Sequence, residues 1–377
     1  MNTVDNCAAV TAEVAAALKL NVSTSRQESK LSQQEWGILD PLSDCRWDQL
    51  ATSHPDCDIF HSSAWARVLY KTYRHRPFYL HLSQESMTVA LVPIMEVASS
   101  LTGRRGVCLP FSDCCTPLLF DEAVPSSFVS KLSQLAVMRN WKFLELRGGA
   151  KPATSAVPSA TFYSHKIDLS RGTDHLFARF ASSVRGAIRR ALKMGVAGEI
   201  SRSREALSVF YDLHLRTRRR HGLPPQPMKF FRNIHEELMK NGFGFVALAR
   251  SASRPVAAAV FFRLGEKALY KYAASDERYQ GLRANDLVLW EGIKFLVQEG
   301  ARTLHLGRTP LENDGLRRFK LRWDVTEEML HYFRFDVGKN SWLIMQDLPR
   351  TLHKQVFGRL PLKLNQLAGS MIYPHLD

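Results

Sequence analysis

The sequence is short of acidic residues, and this shortage is its clearest chemical feature. It contains 36 Asp and Glu residues against 51 Lys and Arg, which gives a formal net charge of +15. A surplus of this size favours anionic partners such as nucleic acid, nucleotide cofactors, phosphorylated precursors or an acidic membrane face. It carries no information about the fold, because net charge acts on association rather than on the path of the chain.

Several common signatures are missing as well. The six cysteines show no C-x-x-C spacing, so we expect neither a structural metal site nor a disulfide framework. No run approaches the roughly 18 apolar residues of a membrane-spanning helix, and the N-terminal region lacks a basic start followed by an apolar block. A P-loop, a G-x-S-x-G elbow and an H-E-x-x-H helix are also missing. These observations predict a cytoplasmic protein without a metal.

The chain is long enough for two domains. Short strands alternate with single helices, which predicts an α/β (α+β) fold of mixed, mostly antiparallel sheets flanked by helices. A loop rich in Gly, Pro, Ala and Ser at 148–159 marks the junction between the domains. The predicted organisation is a flexible leader (1–40), an N-terminal domain (41–165), a C-terminal domain (166–338) and a helical tail (339–377).

The second domain has a characteristic predicted order of elements. A basic helix over 174–194 precedes helices at 204–219 and 227–240, and three strands then follow closely (243–250, 255–264 and 268–274). Asn285 is a good N-cap for the next helix, which Gly300 ends. A short strand, a helix over 313–323 and a final strand complete the domain.

This order resembles the Gcn5-related N-acetyltransferase (GNAT) fold. The sequence of the second domain is similar to those of a narrower group, the Fem-type (FemAB-like) aminoacyltransferases and their BioF2-like acetyltransferase relatives. In that group two such domains are fused. The segments that carry the resemblance are Ser183–Arg185 with Ile188–Ala191, Thr217–Arg219 with His221–Pro224, Pro255–Ala258, Asn285–Trp290, Leu306–Arg308, and Leu316–Lys320 with Trp323.

The resemblance implies acyl transfer. Fem-type enzymes move an amino acid from aminoacyl-tRNA to an amine, usually on a cell-wall precursor, whereas the broader fold takes acyl groups from coenzyme A. Both reactions need a free-base amine and a donor for the oxyanion. We therefore expect an acyltransferase that acts from acyl-CoA or aminoacyl-tRNA on an amine of an anionic cell-envelope or polysaccharide precursor. The alternative is a non-catalytic anion- or RNA-binding protein with a degenerate GNAT fold.

Three residues are the catalytic candidates. The resemblance implies that Lys320 faces the transferring carbonyl, although it could equally be one of several solvated cations in its helix. Arg308 follows a short strand and a glycine, where it could clamp a phosphate or carboxylate, or pair on the surface with a nearby acid. His305 could act as a general base, or be a satisfied, partly buried histidine.

The loop before the helix that starts at Asn285 is the candidate donor site. The resemblance implies that the pyrophosphate of coenzyme A would meet backbone amides there. The residues concerned are Arg278, Gln280, Gly281, Arg283 and Asn285. Arg283 stands where the pattern expects a small residue, and Asp286 in the first helical turn would repel a diphosphate. Both donors therefore stay open.

A basic zone is the candidate site for an anionic substrate. Residues 171–222 contain twelve Lys or Arg and four Asp or Glu. Arg185, Arg189 and Lys193 share one helical face, and Arg218 lies in the next helix. This face could track phosphates, or be an ordinary solvated helix face. The apolar and basic tail could contact an anionic membrane, or pack across the two domains.

Overall fold

The computed structural model describes residues 34–120, 127–149, 151–344 and 356–377. The strands are β1 (Gln34–Leu39), β2 (Arg76–Pro77), β3 (Tyr79–Gln84), β4 (Met87–Val92), β5 (Met95–Ser99), β6 (Gly103–Cys108), β7 (Leu118–Leu119), β8 (Phe143–Arg147), β9 (Ala160–Asp168), β10 (Val196–Ser201), β11 (Gly244–Ser251), β12 (Arg254–Leu264), β13 (Lys267–Ser275), β14 (Thr303–Pro310), β15 (Thr326–Asp336) and β16 (Ser341–Leu343).

The helices alternate with these strands. They are α1 (Arg46–Thr52), α2 (Ser63–Tyr73), α3 (Ser127–Met138), α4 (Thr173–Arg179), α5 (Ser182–Lys193), α6 (Arg204–Arg220), α7 (Met228–Ile234), α8 (Ala284–Gln298), α9 (Asp314–Leu321) and α10 (Leu362–Ile372). The prediction of a mixed α/β fold is confirmed. Part of the predicted leader, residues 1–33, and part of the predicted tail, residues 345–355, lie outside the described residues.

Two sheets organise the described chain. A 12-stranded sheet runs in the order β10-β11-β12-β13-β14-β9-β15-β8-β6-β5-β2, with β16 paired to β15, and a 4-stranded sheet has the order β1-β3-β4-β7. Most pairs are antiparallel; the two parallel pairs are β6–β8 and β13–β14. Each of them is joined by a connection that contains a helix, as parallel neighbours require. A pair of parallel strands joined through a helix therefore occurs once in the N-terminal half of the chain and once in the C-terminal half.

The large sheet is continuous between the two halves. Strand β15 pairs with β9 on one side and with β8 on the other. Strand β9 covers positions 160 to 168 and so spans the predicted boundary at 165/166. Strand β1 likewise lies inside the predicted leader. The division into domains at these positions stays a prediction.

Apolar packing also joins the halves. One core lies on the face of the sheet that carries α6 and α7, and it extends to α2 of the first half. Trp65 on α2 lies 6.0 Å from Phe230 and 5.9 Å from Phe262 between ring centroids. A second core lies between the sheet and α4, α5 and α8. Helices α5 and α6 are therefore on opposite faces of the sheet.

The predicted continuous helix over 174–194 is wrong. Phe180 and Ala181 have ψ angles of 147° and 145°, which separate α4 from α5. The Phe180 ring is buried between Trp290 and Trp323, with centroids 5.7 and 5.0 Å away. The Ala181 amide donates to the Arg322 carbonyl at 3.0 Å. Tertiary packing of one aromatic side chain thus outweighs local helix propensity.

The tail crosses from the second half to the first. Helix α10 packs on the loop after α6, where Gly369 lies so close to the Pro225 carbonyl that an added Cβ would come within 2.0 Å of it. Farther along, Arg105 donates to the Asp377 carboxylate at 2.5 Å and to the His375 carbonyl at 2.8 Å. The structure thus shows packing across the two halves; membrane contact by the tail stays a prediction.

Close helix-to-sheet packing depends on Gly292 in α8. A Cβ at this position would lie 2.2 Å from the Phe261 ring, whereas a Cβ at Gly186 in α5 meets nothing within 4 Å. We expect Gly292→Ala to lower the free energy of unfolding by about 1–3 kcal/mol through overpacking. Gly186→Ala is expected to raise it by about 0.5–1 kcal/mol, because alanine is the better helix former. Urea unfolding of both variants measures the difference, and equal effects would contradict the packing argument.

Candidate active site

The site lies where two parallel strands separate. Strands β13 and β14 pair only from Lys267 to Leu269 and from Thr303 to His305. Beyond these residues β14 changes register against β9, and Gly307 adopts a φ of +73° that favours glycine. The two strands therefore diverge and leave a cleft between Lys271 on β13 and Arg308 on β14, both of which line it.

Lys320 projects into this cleft from α9. Its side chain is buried, and Nζ donates to the Gly307 carbonyl at 2.6 Å and to the Arg308 carbonyl at 3.2 Å. An ammonium has three donors, so one remains for an oxygen in the cleft. Burial lowers the pKa of Lys320 to about 8, and Asp113 opposes that shift. The sequence reading of Lys320 as a solvated cation does not describe this side chain.

Asp113 is the charged centre of the site. Lys271 Nζ donates to its carboxylate at 2.7 Å, and Arg308 Nε lies 4.0 Å away. Burial by itself would raise the pKa of Asp113, but the charges of Lys271 and Arg308 outweigh it and hold the pKa at about 2. The carboxylate therefore stays ionised at neutral pH. It binds cations rather than protons, since a pKa this low makes a weak base.

Arg308 is oriented by aromatic side chains. Its guanidinium donates to the Tyr332 hydroxyl and lies 5.0 Å from the centroid of the Phe162 ring. Tyr332 in turn donates to the Asp113 carbonyl at 2.5 Å. Burial raises the pKa of Tyr332 to about 12, so the hydroxyl stays protonated. Arg308 is thus held at the cleft with about one third of its side chain exposed.

His305 has both ring nitrogens engaged. The Gly307 amide donates to Nδ1 at 3.0 Å, so Nε2 carries the proton and donates to the Ser164 hydroxyl at 2.8 Å. Burial lowers the pKa of His305 to about 4, although Asp113 opposes the shift. The ring is therefore neutral at pH 7, and its arrangement favours the satisfied histidine over the general base.

Three cavities meet around these residues. Cavity A, about 400 Å³, contains Lys271, Gly307, Arg308 and Lys320. Cavity B, about 480 Å³, is lined by His305, Ser164, and the ion pairs Lys166–Glu328 and Lys267–Asp56. Cavity C, about 210 Å³, contains Arg220, Gln280, Arg283, Asn285 and Arg322. Asp113 lines both A and B, while Asn285 lines both A and C.

The structure thus joins part of the predicted donor loop to the catalytic candidates. Gln280, Arg283 and Asn285 reach cavity C, where three arginines surround the start of α8. Arg278 instead binds the Asp276 carboxylate through two nitrogens, with the shorter distance 2.5 Å. Gly281 has open space beside it. Asp286, which is buried, has its pKa raised chiefly by burial, and Arg322, 3.7 Å away, opposes that shift.

The predicted anion-binding residues do not come together at the cleft. Arg185 and Arg189 line a groove beside α8, and Lys193 lies at the exposed end of α5. Arg218 donates to the Pro224 carbonyl and to the Tyr373 hydroxyl, at 3.1 and 2.9 Å. Arg218 therefore supports the loop after α6 and the tail. The α5 residues and the cleft are separate features of the surface.

Sequence reasoning missed Asp113, Lys271 and Tyr332. Burial raises the thiol pKa values of Cys114 and Cys115, the neighbours of Asp113, so neither is a ready nucleophile. Asp113 and Lys271 are 158 positions apart, and only the fold joins them. In the part of the chain that the structure describes, no group of three or more His, Cys, Asp or Glu could hold a metal ion. No helix among the described residues is long and apolar enough to cross a membrane.

Comparison with known proteins identifies one domain family in the chain. Residues 178–321 match the family model described as an acetyltransferase (GNAT) domain. No curated protein matches the sequence. The chain therefore contains a GNAT acetyltransferase domain, and the prediction of an acyltransferase is confirmed.

Solved structures extend the match to both halves. A crystal structure of FemX aligns with a TM-score of 0.62 at 14% identity, covering 86% of this chain and all of that one. A tandem GNAT protein from the clavulanic acid biosynthesis pathway aligns at 0.51 and 11% identity, covering 81% and 99%. The C-terminal domain of a putative lysylphosphatidylglycerol synthetase from Agrobacterium fabrum aligns at 0.50 and 15%, covering 77% and 92%. At these identities the likeness is one of fold, and it confirms the predicted tandem GNAT architecture.

Proposed function

Because residues 178–321 are a GNAT acetyltransferase domain within a tandem GNAT fold, we propose that the protein transfers an acyl or aminoacyl group to an amine within this cleft. The observation that carries the proposal is the position of Lys320. Its ammonium lies in cavity A with two donors bound to carbonyls and one left over. A donor fixed in this way stabilises the oxyanion of the tetrahedral intermediate without reorganising during the reaction.

The donor and the amine would occupy different cavities. Cavity C supplies Arg220, Arg283 and Arg322 beside the start of α8, which suits the phosphates of the donor, although the Asp276 and Asp286 carboxylates also line it. The reactive carbonyl of that donor would lie in cavity A, next to Lys320. The amine would arrive through cavity B and pass Asp113, which faces both spaces. Nitrogen attack then forms the new bond, and the thiol or ribose hydroxyl of the donor leaves.

The proposal extends to the chemical class of each substrate. The donor would be acyl-CoA or aminoacyl-tRNA, since both present a phosphate-bearing activated acyl group. The acceptor would be an amine of a cell-envelope or polysaccharide precursor. One structural relative supports an envelope acceptor but not an amine, because the name of this putative synthetase gives lysylphosphatidylglycerol as its product, and phosphatidylglycerol offers a hydroxyl.

Donor binding can be tested by thermal shift. We expect acetyl-CoA, a longer acyl-CoA or charged tRNA, at 100 times its Kd, to stabilise the protein by about 2.7 kcal/mol. Arg283→Gln should weaken this shift, because Arg283 lines cavity C. Arg278→Gln should weaken it less, because Asp276 already holds that guanidinium.

The pattern of shifts decides between the donors. A shift with an acyl-CoA that Arg283→Gln reduces would identify a coenzyme A enzyme. A shift with tRNA alone, lost at high salt, would identify aminoacyl transfer. No shift with any of the three would contradict the proposal and favour a non-catalytic GNAT-fold protein.

A further inference from the structure

The outer face of α5 is strongly basic and forms no ion pair among the described residues, although Arg185 donates to the Ala178 carbonyl. No Asp or Glu occurs between Asp174 and Glu199. Arg179 in α4 forms an ion pair with Asp324 at 2.6 Å. Within the described residues, the four cations of α5 form no such pair; they are Arg185, Arg189, Arg190 and Lys193. An unpaired cluster of this size, on one short helix, favours a partner with many negative charges.

The same helix end exposes apolar side chains. Leu192 and Met194 are each 53% exposed, next to Lys193 and beside Arg189 and Arg190. The opposite face of α5 is buried against α8 through Val184, Ile188 and Ala191. Exposure of these two large apolar side chains to water is unfavourable. Their transfer into an acyl-chain environment would lower the free energy.

A groove of about 570 Å³ runs beside this face. Phe177, Ile188, Leu192 and Trp290 give it an apolar base, and Arg185 and Arg189 line its edge. The Arg189 guanidinium lies 5.6 Å from the centroid of the Phe177 ring. The acid that lines the groove is Asp174, at its α4 end. Apolar surface edged by arginines matches an amphiphile with an anionic head group.

We propose that the outer face of α5, with its groove, docks on an anionic phospholipid surface. Phosphates of the head groups would contact Arg185, Arg189, Arg190 and Lys193, while Leu192 and Met194 enter the acyl boundary. RNA fits the face less well. Arg189 covers one ring of the groove and the Trp290 side chain is only 9% exposed, so bases find no stacking platform. The proposal does not depend on acyl transfer.

A second candidate surface provides the internal comparison. Helix α10 exposes Leu364, Leu367 and Met371, which lie on one helical face. This helix has one cation, Lys363, among its residues. It contacts α6, on the opposite face of the sheet from α5. A flat membrane that meets α5 therefore leaves α10 free, so variants of the two helices separate the alternatives.

Vesicle sedimentation tests the proposal on the whole chain. The probes are vesicles of phosphatidylcholine alone and of phosphatidylcholine mixed with phosphatidylglycerol. We expect binding to the anionic vesicles only, weakening as salt rises. The double variant Arg189→Gln with Lys193→Gln should bind about 30-fold more weakly. Leu192→Ser with Met194→Ser should also weaken binding, whereas Leu364→Ser with Leu367→Ser should not.

Each other outcome would overturn the proposal. These outcomes are an absence of vesicle binding, binding that neither α5 variant changes, and binding that depends on α10. A protein that binds bulk tRNA through Arg189 and Lys193, but no vesicles, would identify RNA as the partner of α5. All substituted side chains are exposed, and the melting temperature of each variant checks that the fold is kept.

Discussion

Lys320→Met is expected to lower kcat/KM by about 10²–10³-fold, the usual effect of removing one oxyanion donor. Methionine is close to lysine in length and suits the burial of the side chain, so the fold should persist. The loss should appear in kcat, because the donor acts on the charge that develops in the transition state. Steady-state kinetics with the donor identified by thermal shift measures it.

Arg318→Gln is the matched control for this variant. Arg318 lies in the same helix, α9, but it is exposed and lines none of the three cavities. Its replacement should leave kcat within about twofold, since exposed substitutions away from a site usually have small effects. Equal losses in both variants, or an intact kcat in Lys320→Met, would remove Lys320 from the mechanism.

The pH dependence distinguishes two roles for Lys320. Burial lowers its pKa from 10.5 to about 8. An oxyanion donor must be protonated, so kcat/KM should fall as the pH rises through 8, and Lys320→Arg should move this fall to higher pH. A proton acceptor would give the opposite slope.

The stability of the protein should also depend on the protonation of Lys320. The unfolded chain keeps the proton up to a higher pH than the folded chain does. The cost of burying the charge is therefore present below pH 8 and is relieved as the pH rises from about 8 to 10.5.

Asp113→Ala is expected to lower the free energy of unfolding by about 3–5 kcal/mol, because it leaves the Lys271 ammonium buried without its partner. The side chains of Asp113 and Lys271 are 15% and 7% exposed. Adding Lys271→Met to the variant should restore most of the loss, since the unpaired charge is then gone as well. Urea unfolding of the two single variants and the double variant measures the coupling.

An exposed ion pair at the same cavity provides the comparison. Lys267 lies 3.5 Å from Asp56, whose side chain is 72% exposed. Asp56→Ala should therefore change the free energy of unfolding by no more than about 0.5–1 kcal/mol. If Asp113→Ala were no worse than Asp56→Ala, the Asp113–Lys271 pair would not be the electrostatic centre of the cleft.

The sequence allows much of the second half to be predicted, because its elements carry local signals. Helix α8 was predicted from its apolar spacing and ends two residues before Gly300. The break at Phe180 was not predictable, because it depends on two tryptophans more than 100 positions later. Strand β10 was missed too; its exposed residues Ala197, Gly198 and Glu199 show no apolar alternation.

The candidate site divides in the same way. Lys320 and Arg308 were predicted as candidates because they lie in segments that resemble a known family. Asp113 was not, because nothing local distinguishes an ionised aspartate from any other; its role comes from Lys271 and Arg308, which the fold brings to it. In the sequence Arg283 was the residue that departed from the donor-loop pattern, yet the geometry shows that Asp276 holds Arg278 while Arg283 lines cavity C.

The contacts of the tail have a consequence for synthesis on the ribosome. The loop that bears Asp113 is held by Arg147, which donates to the Leu109 and Ser112 carbonyls and lies 3.8 Å from Asp377. Tyr373 packs against Phe111 in the same loop, with centroids 5.8 Å apart. Arg105 and its partner Asp377 are 272 positions apart. A nascent chain therefore carries residues 178–321 before Tyr373 and Asp377 can reach this loop, so the contacts between the tail and the loop form last.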